Sequence, residues 1–344
     1  MTDPMPDPSA IEAAARLLEQ GELVAFPTET VYGLGADAEN PAAVARIYAA
    51  KGRPSDHPVI VHLAPEADIA YWATAIPGEA LALIDALWPG PLTLILKRAP
   101  NIPDAVSGGQ DTVGLRCPSH PVSQALLRAF RQGRGGVAAP SANRFGHVSP
   151  TTAQHVRDEF GSEPSSPVRC VLDGGQSEVG IESTILDLSR IATLGPVLLR
   201  PGHIAPQRIA DLIGTLPQLP DAAAPRASGT LASHYAPRTP VALVEAARIP
   251  DTISALATGG RRVALISHSL PRLSGPLAQQ PMAAEPAGYA HQLYAALRSL
   301  DLAGADLIMV EMLPAGEEWN GIRDRLRRAA HDSSGILARL LPSC

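Results

Sequence analysis

Cysteine is scarce in this chain of 344 residues: there are only three, at positions 117, 170 and 344. They lie far apart and none has a C-x-x-C partner, which excludes a disulfide framework and a cysteine-based zinc cluster. The acidic, proline-bearing N-terminus also lacks the basic start and the apolar stretch of a secretory signal. The cytoplasm, a reducing compartment, is therefore the expected location.

Long apolar runs and a surplus of positive charge are missing as well. No run approaches the ~20 apolar residues of a membrane-spanning helix, so no association with a membrane is expected. The net charge of -6 argues against a sequence-independent nucleic-acid binder, which usually carries a positive surface. With 45% hydrophobic and 18% charged residues, the composition is that of a globular protein rather than a disordered chain.

The length and the pattern of apolar residues predict two domains. Up to Ile213, short apolar strands alternate with helical segments, which indicates an α/β sheet packed between helices. A stretch rich in proline, alanine and serine follows at 215–240 and is typical of an interdomain linker. Strands at 241–244, 262–267 and 306–311, with helices between them, predict a second, small parallel domain.

The first domain contains eight predicted strands and four predicted helices, of which one runs from a capping box at Ser9 to Gly21 and two lie at 121–130 and 151–160. Asn40 and Pro41 combine a capping side chain with a proline in the first turn, so a helix is expected from there to Lys51. Gly33 and Gly35 would let the backbone approach a ligand, but the segment fails as a phosphate loop because it lacks the Walker and dinucleotide patterns. The strands are expected at 22–26, 59–63, 92–96, 112–116, 136–139, 169–172, 183–188 and 196–199.

Polar side chains concentrate between Phe26 and His62, where a predicted strand ends. Ligands of open α/β sheets bind at the carboxyl ends of strands, so this segment is a candidate site. Lys51 and Arg53 fit a site that binds a triphosphate. Lysine supplies a compact positive charge, and arginine can donate two parallel hydrogen bonds to phosphate oxygens. Basic residues also cap helix ends, and spacing alone favours that interpretation. His57 and His62 lie in the same segment, without a catalytic-triad or metal-binding pattern.

A second polar segment runs from Ala138 to Pro150. Ser141 and Asn143 suit contacts to a nucleotide or phosphate, but equally suit a turn that caps the next helix. Arg116 ends a strand and is a candidate carboxylate binder, although a lone arginine is more often an ion-pair residue. Ser183 and Arg200 are also polar groups at strand ends and are weak signals on their own.

The basic run RDRLRRAA, from Arg323 to Ala330, invites a nucleic-acid interpretation. Ile322 and Leu326 are four residues apart and therefore share one helix face. This spacing favours a solvated amphipathic helix instead.

Taken together, the motifs of this chain resemble one known family. They occur in a fixed order along nearly the whole chain: FPTETVYGLGADA, the K-x-R of AAKGRP, HPVIVH, WPGPLTLIL, DTVGLR, the S-x-N of APSAN, GIESTI, LLRPG and HYAPRTP. The chain is similar to the long, two-domain form of the YrdC-like threonylcarbamoyl-AMP synthases. The resemblance implies a twisted α/β YrdC-like catalytic domain at 1–213, an interdomain linker or lid at 214–240 and a Rossmann-like parallel α/β domain at 241–344.

The same resemblance implies roles for individual residues. Lys51 and Arg53 are expected to be catalytic, and Lys51 and Asn143 complete the two polar motifs. The chain has GTLASHYAP where some relatives carry lysine and arginine before HYAP, so a phosphate contact from that stretch is not expected here. The positions expected to line the threonine pocket are Thr30, His62, Arg116, Ala139 and Ser183. The positions expected to contact ATP are Lys51, Arg53, His57, Thr112, Ser141, Asn143, Ser149, Arg200 and Tyr235.

The activity that the resemblance implies is the condensation of L-threonine, bicarbonate and ATP to threonylcarbamoyl-AMP, with release of pyrophosphate. Mg2+ is expected to arrive with ATP, with no protein metal site, and a tRNA threonylcarbamoyl transferase would use the product. Two alternatives stay open: a module that binds double-stranded RNA, and a related carbamoyl-transfer enzyme with another acceptor.

Overall fold

The computed structural model describes residues 5–162 and 164–341, so Cys344 lies outside the described residues. The chain forms two compact units. The first comprises Met1–Phe145 and Ser149–Thr230, and the second comprises Gly146–Val148 and Leu231–Cys344. The division after Thr230 falls inside the predicted linker, whose exact limits stay a prediction.

The first unit is built on a mixed sheet of ten strands. The strands are β1 (Leu23–Phe26), β2 (Gly33–Asp37), β3 (Ile60–Leu63), β4 (Ala73–Thr74), β5 (Leu92–Arg98), β6 (Thr112–Arg116), β7 (Gly136–Ala138), β8 (Val168–Val171), β9 (Thr184–Asp187) and β10 (Val197–Arg200). Their order is β10-β9-β5-β6-β3-β7-β2-β1-β8, with β4 paired to β5. Neighbours β3 and β6, β5 and β9, and β1 and β8 are parallel, and the other pairs are antiparallel.

Among the residues that the structure describes, nine α-helices of the first unit accompany these strands. They are α1 (Pro8–Glu19), α2 (Pro41–Lys51), α3 (Ile69–Trp72), α4 (Gly78–Leu87), α5 (Asp104–Ser107), α6 (Pro121–Ala129), α7 (Ala153–Phe160), α8 (Ile191–Leu194) and α9 (Pro206–Ile213). Helix α2 confirms its predicted start, because the Asn40 side chain accepts hydrogen bonds from the backbone of Ala42 and Ala43. It ends at Gly52, whose φ of 64° is left-handed, and the chain turns there between Lys51 and Arg53.

Gly33 and Gly35 lie in a strand that the sequence pattern did not predict. Both belong to β2, a fully buried strand that pairs with β1 and β7. A Cβ added to Gly35 would lie 2.8 Å from Cε1 of Phe26 and 2.9 Å from Cγ1 of Val137, so glycine makes room for the packing of its neighbours. The strand was missed because glycine carries almost no β-propensity.

The second unit contains a small parallel sheet, as predicted. Its strands β11 (Val241–Val244), β12 (Val263–Ser267), β13 (Ala278–Pro281) and β14 (Leu307–Glu311) lie in the order β11-β14-β12-β13. All three pairs are parallel. Strand β13, with the sequence AQQP, was not predicted because Ala278 is its only hydrophobic residue. The helices are α10 (Ile249–Thr258), α11 (Pro286–Asp301), α12 (Asn320–Ala329) and α13 (Ile336–Leu340).

The basic run lies in α12, but it is not the solvated helix that its pattern predicts. Arg325 and Arg328 are buried and donate to Oδ2 of Asp324 over 3.1 Å and 2.9 Å. Burial raises the pKa of Asp324, but the charges and hydrogen bonds of the arginines outweigh it and leave this pKa below its usual range. These two arginines therefore form an internal ion-pair cluster rather than a surface. In the described part of the chain, no helix is long and apolar enough to cross a membrane.

Candidate active site

Several predicted site residues project from one face of the large sheet. His62 of β3 and Arg116 of β6 are register partners in a parallel pair, so their side chains point to the same side. Thr112 shares this face with Arg116, because residues separated by an even number of positions in a strand point the same way. Gly114 lies between them, and a Cβ there would meet Ile95 at 3.1 Å. The face therefore carries these polar groups beside Ile95, whose side chain leaves little room for a Cβ at position 114.

Arg116 is held by a carboxylate that the sequence analysis did not identify. Its Nη2 donates to Oε1 of Glu29 over 2.6 Å, and its Nε donates to the Gly90 carbonyl over 3.4 Å. The other oxygen of Glu29 accepts a bond of 3.0 Å from the backbone of Ser119. Both charged side chains are about 95% buried, which makes this an internal ion pair. A lone acidic residue directly after a buried strand was the available signal.

Thr30, beside Glu29, is fully buried in the turn between β1 and β2. Its Oγ1 lies 2.8 Å from Oγ1 of Thr28, which also donates to the Val31 carbonyl over 2.6 Å. The backbone groups of Thr30 and Val31 donate to Thr28 Oγ1, each over 3.2 Å. The hydroxyl of Thr30 is thus held by a closed local network.

His62 is buried and neutral over the physiological range. Burial, and then the positive charge of Arg116, lower the pKa of His62 to about 3. Its ring meets the ring of Phe26 edge to face, with 6.1 Å between the centroids. Nδ1 is buried and has no hydrogen-bond partner among the described residues. His62 therefore contributes an uncharged ring nitrogen rather than a second cation.

Lys51 joins the two polar motifs of the sequence. Its Nζ donates to the carbonyl oxygens of Ser141 and Asn143, over 2.5 Å in each case. Burial, and then the charge of Arg53, lower the pKa of Lys51 well below its usual range. Because both acceptors lie about ninety residues further along the chain, capping of its own helix does not describe Lys51. The lysine instead holds the S-x-N turn in place.

The S-x-N turn follows β7 and passes close to β2 and β3. The backbone of Ala139 donates to the Ile60 carbonyl over 2.9 Å, and Ser141 bridges to Gly33. Asn143 is buried and its Nδ2 donates to the Arg144 carbonyl over 2.8 Å. A local turn thus accounts for much of the backbone geometry here, while Ser141 stays partly exposed.

Arg53 and Arg200 converge on one residue of the predicted linker. Nη2 of Arg53 donates to Oγ of Ser228 over 3.1 Å, and Nη1 of Arg200 donates to the Ser228 carbonyl over 2.8 Å. Arg200 also donates to the carbonyl oxygen of Ser183 over 3.0 Å and 3.1 Å. Two buried guanidinium groups thus meet at a serine where phosphate oxygens are expected.

His57, another residue expected to contact ATP, is affected by one of these arginines. Burial, and then the charge of Arg53, lower the pKa of His57.

The linker residues before Thr230 lie on the same face of the sheet. Ala224 and Ala227 pack on an apolar cluster formed by Ile60, Ile95, Ile185, Val197 and Leu199. Beside them is a cavity of about 640 Å³ that includes Thr112. Its other polar lining residues include Lys97, Gln110, Asp111, Ser189 and Arg190. We call residues 221–230 the strap, because they cover this face.

Ser149 is paired with a second carboxylate that the sequence analysis missed. Its Oγ donates to Oε1 of Glu182 over 2.5 Å, and both side chains are buried. The negative charge of Glu182 also acts on Lys51, opposing the effect of burial on the pKa of that lysine. Glu182 belongs to the GIESTI motif, of which only the neighbouring Ser183 was predicted to be a site residue. Across the residues described, no group of three His, Cys, Asp or Glu side chains could hold a metal ion.

Tyr235 belongs to the second unit, whereas all the other predicted site residues belong to the first. Its ring stacks on Tyr294 with 5.9 Å between centroids, and the guanidinium of Arg325 lies 5.3 Å from the ring centre. The residue has a left-handed φ of 61° and is only 1% exposed. The structure therefore holds Tyr235 firmly within the second unit, and its contact with ATP stays a prediction.

Two family models match the chain. One, described as Telomere recombination and representing the Sua5, YciO and YrdC proteins, matches residues 16–202. The other, described as the C-terminal domain of threonylcarbamoyl-AMP synthase, matches residues 203–331. Together these models span nearly all of both units.

Similar proteins with that name come from an archaeon and a bacterium. The threonylcarbamoyl-AMP synthase of Pyrococcus abyssi is 37% identical over 93% of this chain and 94% of its own. That of Bacillus subtilis is 40% identical over 94% and 93% of the two chains. The crystal structure of P. abyssi Sua5 complexed with L-threonine superimposes with a TM-score of 0.85 at 35% identity, covering 94% of this chain and 95% of that one. The chain therefore belongs to the threonylcarbamoyl-AMP synthase family, in its two-domain form.

Proposed function

We propose that the chain is an L-threonylcarbamoyladenylate synthase, a nucleotidyltransferase that condenses L-threonine, bicarbonate and ATP to threonylcarbamoyl-AMP and releases pyrophosphate. The observation that carries this proposal is the set of buried cations in the first unit: Lys51, Arg53, Arg116 and Arg200. Relatives with this activity in their names match the chain along almost its whole length, which supports the same conclusion.

The chemistry needs positioning and charge neutralisation more than a protein nucleophile. The threonine nitrogen bonds to the carbon of CO2 derived from bicarbonate and loses a proton, forming a carbamate. A carbamate oxygen then attacks the α-phosphorus of ATP, and the bond to the pyrophosphate oxygen breaks. We assign Arg53 and Arg200 to the negative charge of the phosphates, and Arg116 to the threonine carboxylate. For this, phosphate oxygens must replace or share the contacts that Ser228 makes in the free protein.

In this proposal Lys51 acts partly through the turn that it holds. Its bonds to the carbonyls of Ser141 and Asn143 fix where that turn presents its polar groups. Thr112, beside the cavity, and His57 and Ser149 complete the residues assigned to ATP, with Tyr235 from the second unit. Thr30, His62, Ala139 and Ser183 complete the threonine pocket. The role of residues 214–240 as a lid belongs to the same proposal.

Mg2+ is proposed to enter with ATP. The hydroxyl of Ser149 and the carboxylate of Glu182 are hard oxygen donors, the kind that Mg2+ prefers, and both are buried near Lys51. A carboxylate close to bound phosphates would repel them unless a cation lay between, so this pair fits a metal that the substrate also ligates. The ion would supply neutralisation of phosphate charge when bound.

The decisive experiment incubates the protein with ATP, labelled bicarbonate and L-threonine, and detects the labelled adenylate and pyrophosphate. The labelled product is expected only when all three substrates are present. Valine in place of threonine should give much less, because a site that hydrogen-bonds the hydroxyl leaves polar groups unpaired with valine. Pyrophosphate release that does not depend on threonine would contradict the proposal and favour a carbamoyl-transfer enzyme with another acceptor.

The setting proposed for this activity is the cytoplasm, with transfer of the product to tRNA by a separate threonylcarbamoyl transferase. The free thiols of Cys117 and Cys170 support a reducing compartment. Double-stranded RNA binding is not favoured, since two arginines of the basic run are buried around Asp324.

A further inference from the structure

We infer that Thr28 and Glu29 are positioning residues of the amino-acid pocket, one for the hydroxyl of Thr30 and the other for the guanidinium of Arg116. The inference rests on the proposed function, because it takes Thr30 and Arg116 to be the groups that meet the substrate. It concerns two side chains in one buried turn that have no assigned role. Thr28 is 1% exposed and Glu29 is 3% exposed.

The direction of each hydrogen bond in this turn follows from counting protons. A carbonyl oxygen can only accept, so the bond of 2.6 Å to the Val31 carbonyl uses the single hydroxyl proton of Thr28. The bond of 2.8 Å between the two hydroxyl oxygens must then use the proton of Thr30. The backbone groups of Thr30 and Val31 also donate to Thr28 Oγ1, over the longer distance of 3.2 Å, so they share one of its two lone pairs and the proton of Thr30 takes the other.

Thr30 is consequently left with lone pairs and no free proton. A serine or threonine hydroxyl normally serves as either donor or acceptor, but here Thr28 removes the donor option. Thr30 can therefore receive a hydrogen bond only from a donor on the ligand, such as the amino group or the hydroxyl of threonine. Thr28 in this way sets which ligand groups the pocket accepts.

Glu29 performs the corresponding task for Arg116. Its two oxygens are divided between Nη2 of Arg116, at 2.6 Å, and the backbone of Ser119, at 3.0 Å. A charge-assisted bond of this length orients the planar guanidinium and compensates its charge while the pocket is empty. The remaining donors of Arg116 then have a fixed direction toward an α-carboxylate. The two residues together prepare the site for a free α-amino acid with a donor at its other end.

The test compares Thr28→Val with Thr28→Ser and Glu29→Gln with Glu29→Asp in the full chain. Calorimetry measures the dissociation constants of L-threonine and of ATP, and steady-state assays measure the KM of each substrate. Thr28→Val should weaken threonine binding about ten-fold, the effect of one hydrogen bond, and Thr28→Ser should restore most of it. Glu29→Gln should weaken it by about ten- to hundred-fold, with partial rescue by Glu29→Asp.

The binding of ATP is the readout that separates positioning from general damage. Its dissociation constant should stay within about two-fold in Thr28→Val, since loss of one side-chain hydrogen bond acts locally. Thr258→Val, an exposed helix position in the second unit, serves as the matched control and should change neither constant. If Glu29→Gln does not fold, Glu29→Asp replaces it: weaker threonine binding with ATP binding unchanged within about two-fold supports the role of Glu29, and unchanged threonine binding overturns it.

Unchanged threonine affinity in Thr28→Val, or an equal loss of affinity for threonine and ATP, would overturn the inference. Failure of the proposed function gives a different result, because then the unaltered protein itself would neither bind threonine nor form the adenylate.

Discussion

His62 shows how one buried side chain links the site to the stability of the molecule. The folded state keeps its pKa near 3, against an ordinary value of 6.5, because burial and Arg116 disfavour the charged ring. The unfolded chain therefore binds a proton that the folded protein does not, at every pH between these two values. The stability that comes from keeping His62 neutral is present above pH 6.5 and is lost as the pH falls toward 3.

The corresponding prediction uses His62→Asn. Lowering the pH from about 7.5 to about 5 should cost the unaltered protein about 2 kcal/mol at this residue, a loss that the variant avoids. The measurement is the urea midpoint of both proteins at each pH. His203→Asn is the control, since His203 is exposed. An identical pH response in the unaltered protein and in His62→Asn would show that His62 is charged or exposed in the folded state.

Glu182 gives a second prediction at the scale of the residue. Glu182→Gln keeps an acceptor for the Ser149 hydroxyl but removes the charge that would attract Mg2+. The Mg2+ concentration needed for half-maximal ATP binding, measured by calorimetry, should rise about ten-fold, and the adenylate assay should follow it. Glu79→Gln changes an exposed carboxylate and should have no effect. A Mg2+ requirement that is the same in Glu182→Gln and the unaltered protein would remove Glu182 from the metal proposal.

At the scale of elements, the strap contacts the two arginines that the proposed function assigns to the phosphates of ATP. Ser228 satisfies Arg53 and Arg200 in the free protein, and Arg226 adds bonds to Gly108 and Gln110. Phosphate binding at the two arginines has to compete with Ser228. The strap is therefore part of the structure of the first unit. It also competes with the phosphates of the proposed ligand ATP for the two arginines.

Ser228→Ala tests this competition. The variant removes one of the acceptors of Arg53, leaves its bond to the Pro58 carbonyl and keeps the backbone contact to Arg200, so ATP should bind about two- to ten-fold more tightly. Thr230→Val is the matched control, because the Thr230 hydroxyl donates to the Ala227 carbonyl and not to either arginine. Weaker ATP binding in Ser228→Ala would mean instead that the serine hydroxyl supports the nucleotide site.

At the scale of the molecule, the limits of the two units predict how the chain can be divided. A fragment that ends at residue 213 lacks Ala224 and Ala227, which cover the apolar cluster, and also lacks Ser228. A fragment that ends at residue 230 keeps all of them. The longer fragment should be more stable toward urea by about 1 to 3 kcal/mol, mostly from apolar surface removed from water. Equal midpoints for the two fragments would show that the strap adds nothing to the first unit.

The sequence by itself determined the features that depend on neighbouring residues. Apolar runs such as 92–96 and 59–63 predicted strands because a buried strand needs continuous apolar surface. Asn40 and Pro41 located the start of α2 because capping is a local interaction. The order of the motifs identified the family, and with it most of the candidate site.

Only the tertiary structure decided which of these groups meet. Glu29 and Arg116 are 87 positions apart, Ser149 and Glu182 are 33 apart, and Arg53 and Ser228 are 175 apart, so no local pattern pairs them. The packing role of Gly35 was hidden for the same reason, since Phe26 and Val137, which pack against it, come from other strands. Burial is a further property that only the tertiary structure decides. The low pKa of His62 and the internal position of Arg325 depend on the removal of water, which the fold alone brings about.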